Sequence, residues 1–310
     1  MKNIKNWINK YSIELSIIIL GFTAIHLFLL FPTYRGETIE AAKAGLFGDF
    51  IGGYLGTTFA LISVVLLFRT LKAQKEVFTK EEFKSQFFDM LKLHRDNVSE
   101  IGLAKASGRK VFVLLLREFR ALLKITNEIC TNKNAKLSKE QKIDITYLSL
   151  FFGVGPNSTR VLRNALAHYP DDIVNSLIKA IEDKHIKDMK KEEELLDFKI
   201  FEGHQSRLGH YFRHLYQTVT YVHEQKIDIP KYDYVKILRA QLSTHEQALL
   251  FINSISSIGN RWKKEGLIKD YKLIKNIPHN FFDIDREIDI KEVYPDVIFE
   301  WEENINIEHK

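Results

Sequence analysis

Two stretches of the chain carry no Asp, Glu, Lys or Arg: residues 15–34 and 50–68, 20 and 19 residues long. About 20 apolar residues, each rising ~1.5 Å, cross the ~30 Å hydrocarbon core of a bilayer. The pattern therefore predicts two transmembrane helices, near 12–32 and 47–69. The first apolar run exceeds the ~7–15 residues of a secretory h-region, and no small-x-small cleavage site follows it, so it reads as a retained anchor.

Beyond the second stretch the period becomes that of amphipathic helices. Segment 76–101 continues from the second span without a breaker, with Phe83, Phe87, Met90, Leu91 and His94 recurring at three- and four-residue steps. Further helices fit 110–129, 138–151, 158–168, 171–187, 204–225, 232–256 and 262–275. Breakers separate them: Gly108, the 132–134 stretch, Gly153 to Pro156, Pro170, Gly203, Pro230 and Gly259. No run of alternating strands and no internal repeat is seen. The expected fold class is all-α, with two N-terminal transmembrane helices followed by a cytosolic α-helical domain. The expected division is a membrane anchor over 1–75, a cytosolic helical domain over 76–282 and an acidic tail over 283–310.

Charge sets the expected orientation. Lys2, Lys5 and Lys10 precede the first span, and Arg69, Lys72 and Lys75 follow the second. The connection carries Arg35 and Lys43, offset by Glu37 and Glu40. The positive-inside rule places both termini in the cytoplasm of a multi-pass membrane protein, with the 33–45 loop outside. The composition, 27% charged and 45% hydrophobic, excludes a disordered chain. One cysteine, Cys130, excludes a disulfide framework and a Cys-rich zinc site, and agrees with a cytosolic domain. Residues 283–310 hold ten acidic residues against Arg286, Lys291 and Lys310, in a chain of net charge +5. Such a tail either folds back on the basic body, contacts a partner or frays. Interleaved Val293, Val297, Phe299 and Trp301 make it less polar than a plain solubilising tail.

Gly48, Gly52 and Gly56, followed by Ala60, form a small-xxx-small ridge on the second span. Such a ridge lets helix backbones approach closely in lipid. Its partner is either another copy of the chain or the first span of the same chain.

Several chemistries are excluded. GVGPNS at 153–158 lacks the Lys and the flanking pattern of a phosphate loop, and there is no HExxH and no nucleophile elbow. No metal or cofactor is expected. The chemistry-bearing residues concentrate in 204–245, which holds His204, His210, His214, His223 and His245. At 100° per residue His204, Arg207, His210, Tyr211, His214 and Thr218 share one helix face, while Leu208, Phe212, Leu215 and Val219 form the core side. On the next predicted helix Arg239, Ser243, Glu246 and Asn253 share a face, and Glu246 is placed to pair with a facing Arg such as Arg207. Three readings of this pair are open: a buried polar network that fixes helix register, a catalytic or phosphate-binding face, or a metal held by His210 and His214, for which no third ligand is evident. A separate motif, Arg163-Asn164-x3-His168, matches the Arg-x(4–6)-His signature of HEPN ribonucleases, in which the Arg contacts the scissile phosphate and the His helps activate the 2′-hydroxyl. Termination of a helix by Pro170 explains the same residues.

As a whole the chain resembles the phage abortive-infection proteins of the AbiC-like family. The resemblance is carried by FKSQFFDMLKLHRDNV (83–98), GHQSRLGHYFRHLYQTV (203–219) and LRAQLSTHEQALLFIN (238–253), downstream of two spans, and covers about 45–275. It implies anti-phage defence by arrest or killing of the infected cell. Similar two-span effectors occur in retron operons, beside a reverse transcriptase and its RNA–DNA hybrid, which makes such a complex a candidate partner, along with membrane lipid and further copies of the chain. Two mechanisms follow: membrane disruption through oligomerised spans under control of the cytosolic helices, or a HEPN-like, metal-independent ribonuclease tethered to the membrane. The resemblance assigns no catalytic residue.

Overall fold

The computed structural model describes residues 12–29, 41–189, 201–282 and 288–303. They fall into two compact units, Met1–Phe78 and Thr79–Lys310. The molecule is mostly helical, as the hydrophobic periodicity predicts.

The first unit contains helix α1 (Ser12–Leu29) and the opening part of helix α2 (Ala41–Glu100). Residues 30–32 of the first predicted span and most of the predicted connection lie outside the described residues. α2 runs for 60 residues, because between Gly56 and Gly102 the sequence offers neither Gly nor Pro to stop it. Large apolar side chains are exposed along both helices: Phe22 and Leu27 on α1, and Phe50, Tyr54, Leu61, Leu67 and Phe68 on α2. Among the described residues α2 is the one helix long and apolar enough to cross a membrane.

The second unit is built on helix α3 (Arg109–Asn132), whose Val111, Phe112, Leu115, Leu116, Phe119 and Leu122 are buried. α4 (Lys139–Phe152), α6 (Asp171–Met189) and α9 (Thr244–Ile255) pack against it. α5 (Ser158–Ala165), α7 (Gln205–His223), α8 (Lys231–Arg239) and the single-turn helices α10 (Arg261–Lys264), α11 (Leu267–Asp270) and α12 (Ile290–Val293) complete the layer. The last part of α2 contributes Phe83, Phe87 and Val98 to the same core. A two-residue antiparallel hairpin, β1 (Gly102–Leu103) with β2 (Ala106–Ser107), turns the chain from α2 into α3; the helical pattern gave no sign of it.

Two expected helices are redrawn. The single helix expected over 232–256 is two, because Ser243 starts a new one: its hydroxyl accepts from the Glu246 backbone N–H, and the Glu246 carboxylate accepts from the Ser243 N–H. That reciprocal arrangement is a capping box, legible as Ser-x-x-Glu. The helix expected over 262–275 is two single turns, interrupted at Gly266, which takes a left-handed φ of 72°.

The loops before α5 and α7 cross backbone to backbone at Gly153 and Gly203. A Cβ on Gly203 would lie 2.3 Å from the Phe152 carbonyl oxygen. The crossing is tied by Val154 N–H donating to Phe201 O at 2.8 Å and by His204 N–H donating to Phe151 O at 2.9 Å, and it fixes where α7 begins.

The described part of the acidic segment folds onto this unit. Ile288, Tyr294, Val297 and Phe299 are buried. Its acids meet lysines of the body: Lys139 with Glu292 at 2.9 Å and Lys269 with Asp296 at 2.6 Å. Lys275 bonds Glu303. Apolar anchoring sets the position, since exposed ion pairs of this kind contribute little individually.

Candidate functional site

Side chains of α7 meet α3, the last part of α2 and α9, and the polar residues at its start and along it form two separate arrangements. The first is at its start. Glu118, near the middle of α3, sits among apolar neighbours and is buried, as is His204. His204 Nε2 is 2.9 Å from Glu118 Oε2, and the Phe201 N–H donates to Glu118 Oε1 at 2.7 Å. Arg207 NH1 stands 3.4 Å from His204 Nδ1. A guanidinium only donates, so Nδ1 accepts and the proton sits on Nε2, facing the carboxylate. Arg207 also donates through Nε to the Gly102 carbonyl at 2.7 Å. All three polar groups are satisfied, which is what a buried carboxylate requires.

The second arrangement lies one to two turns further along. Tyr211 and Glu246 are fully buried, and the Tyr211 hydroxyl donates to Glu246 Oε1 at 3.1 Å. Burial first, then the Glu246 charge, raises the Tyr211 pKa well above its ordinary value. The cation beside Glu246 is Arg109, at the start of α3, with Nε 3.6 Å from Oε2. His94 of α2 packs against both Tyr211 and His214. It is 1% exposed, its ring centroid 5.3 Å from Tyr211 and 5.9 Å from His214. The ring nitrogens of His94 and His214 are buried and have no hydrogen-bond partner. Burial, followed by His214 and Arg109, pushes the His94 pKa down to about 4. Burial, followed by His210, lowers that of His214.

The structure thus divides the residues expected to share one network. Arg207 does not meet Glu246. It lies with His204, while Glu246 takes Arg109, because the capping box turns the Glu246 carboxylate back onto the start of α9. Arg239 is also elsewhere. The helix break after it directs its guanidinium to the Tyr271 and Lys272 carbonyls, both at 3.1 Å. His210 is exposed and contacts Asn97 at 3.2 Å. No cluster of three or more metal-ligating residues occurs among the described residues. Three partners were missed: His94, Arg109 and Glu118. Glu118 had a signal, as a lone carboxylate inside the apolar stripe Leu115, Leu116, Phe119 and Leu122.

Arg163, Asn164 and His168 have different surroundings. Arg163 bonds Asn175 of α6, Asn164 is exposed, and His168 lies 3.7 Å from Asp144. Asp144 also accepts from the Tyr169 hydroxyl at 2.7 Å, the Ser257 N–H at 2.7 Å and the Ser257 hydroxyl at 3.0 Å. Gly48, Gly52 and Gly56 sit exposed on α2, and a Cβ at any of them would meet nothing within 4 Å among the described residues.

Residues 203–282 match the family described as "Putative phage abortive infection protein". The matched segment begins at the Gly203 crossing and runs through α7, α8, α9, α10 and α11, so it supplies His204, Arg207, Tyr211, His214 and Glu246, while His94, Arg109 and Glu118 lie before it. The match supports a role in phage defence. No curated protein and no solved structure matches the chain.

Proposed function

We propose that the protein is a membrane-anchored abortive-infection effector that kills or arrests the infected cell by disrupting the bacterial inner membrane. The observation that supports this reading best is the open glycine ridge of α2: Gly48, Gly52 and Gly56 lie on an apolar helix, and among the described residues nothing comes within 4 Å of a Cβ placed on them. In lipid such a surface is completed by another helix, because close backbone approach recovers van der Waals contact that acyl chains do not provide. In this reading both apolar segments span the bilayer with the termini in the cytoplasm, and copies of the chain associate through the ridge. The helical unit from Thr79 onward holds the spans inactive until infection.

The test is induced expression in a bacterial host with a membrane-potential dye and total-RNA profiling in the same culture. Depolarisation before loss of viability, with intact RNA, is the expected result. RNA cleavage at full membrane potential would replace this reading with the ribonuclease one.

A further inference from the structure

Beside the unpartnered His94 the structure forms a cleft of ≈ 460 Å³ lined by His94, Arg95, Val98 and Ser99 of α2, Ser107 and Gly108 of the turn, Arg109 and Lys110 of α3, and Gln241. That volume lies in the range of small-molecule sites. Three of these side chains are cations, and none of the lining residues is acidic. The cleft also meets the start of α3, a 24-residue helix. Its N-cap is Gly108, with φ 60°, so no side chain caps the helix. The first N–H groups of such a helix form an anion-binding end. Arg109 is held in place from behind: NH2 donates to the Gln241 carbonyl at 2.7 Å and Nε faces Glu246, while the side chain remains 58% exposed. His94 supplies an independent sign of a ligand. A buried imidazole with both nitrogens unpartnered carries a desolvation cost that a bound acceptor would relieve.

We propose that this cleft binds a phosphate-bearing small molecule of up to nucleotide size, its phosphate held by Arg95, Lys110, the free edge of Arg109 and the N-terminus of α3, with the His94 ring in the wall turning one N–H toward it on binding. The proposal does not depend on how the spans act. It makes the unit from Thr79 onward a ligand-responsive one.

The test is calorimetric titration of the full-length protein in detergent with pyrophosphate, with ATP and with a short single-stranded oligonucleotide. Lys110→Glu and Arg95→Glu are the variants, and both side chains are exposed, so both proteins should fold. Lys179→Glu on α6 is the control. Saturable binding of pyrophosphate or ATP is expected, weakened about tenfold or more by each cleft variant, as loss of one charge-assisted contact implies, and unchanged in the control. The His94 imidazole resonances should shift on saturation. Absence of saturable binding, equal affinity in all variants, or tight oligonucleotide binding with no response to ATP and pyrophosphate would overturn the proposal.

Discussion

His204 and His94 are both withdrawn from water, yet their surroundings are opposite. His204 is held between Glu118 and Arg207, with both ring nitrogens engaged. His94 lies tilted against Tyr211, stacks on His214 and engages neither nitrogen. A buried polar group that is satisfied orders the fold. One that is unsatisfied costs stability and is retained for another reason. The contrast assigns the Glu118–His204–Arg207 arrangement to structure, fixing α7 on α3 beside the Gly153–Gly203 crossing, and the His94 region to ligand binding.

The largest expected effect lies on the structural side. Glu118→Ala strands the His204 N–H and the Phe201 N–H in the core, and His204→Phe strands the carboxylate. Each should lower the unfolding free energy by about 3–5 kcal/mol, read by chemical denaturation of the unit from Thr79 onward in the full-length protein. If both variants were as stable as the parent, the structural assignment would fail.

A somewhat smaller effect is expected from acid. The folded-state pKa of His94, about 4, lies below its ordinary value of 6.5. Protonation therefore favours the unfolded chain. The stability that His94 confers by staying neutral is fully present above pH ~6.5 and is lost as pH falls through 4, amounting to about 3 kcal/mol. His94→Phe should flatten that part of the pH–stability profile. An unchanged profile would show that His94 is not the group responsible.

At neutral pH the same His94→Phe substitution should leave stability unchanged or raise it by up to about 1–2 kcal/mol, since it removes an imidazole whose buried nitrogens make no hydrogen bond and keeps an aromatic ring on Tyr211. A loss comparable to that of His204→Phe would erase the contrast between the two sites. Smallest of all, His168→Ala should shift stability by no more than about 0.5 kcal/mol and leave killing intact, because Asp144 keeps the Tyr169 hydroxyl and the Ser257 N–H. Loss of killing at normal protein level would favour the ribonuclease reading.

Helix content and order were legible because 3.6-residue periodicity and Gly or Pro breakers are local signals. The polar side of α7 was legible for the same reason, since His204, Arg207 and His214 share a face on one helix. What those residues meet was not. Glu118 and Arg109 come from α3, about 90 and 140 positions from His204 and Glu246 in sequence, and helical spacing says nothing about which helix faces which. The Ser243–Glu246 capping box could have been read and was passed over because the apolar pattern runs through it. Missing it made Arg239 and Glu246 seem neighbours on one helix. The acidic segment followed its apolar residues rather than its charge: Val297 and Phe299 are in the core, and the acids are left at the rim.

The glycine ridge tests the functional account most directly. Gly52→Leu with Gly56→Leu fills the open face of α2 with side chains that hold helices apart, and since a Cβ at either position meets nothing within 4 Å among the described residues, folding and protein level should be unaffected. In phage-infected cells carrying the double variant, measured with a membrane-potential dye, the account predicts that depolarisation and killing are both lost while the parent protein shows both. Full depolarisation and killing by the double variant would contradict it.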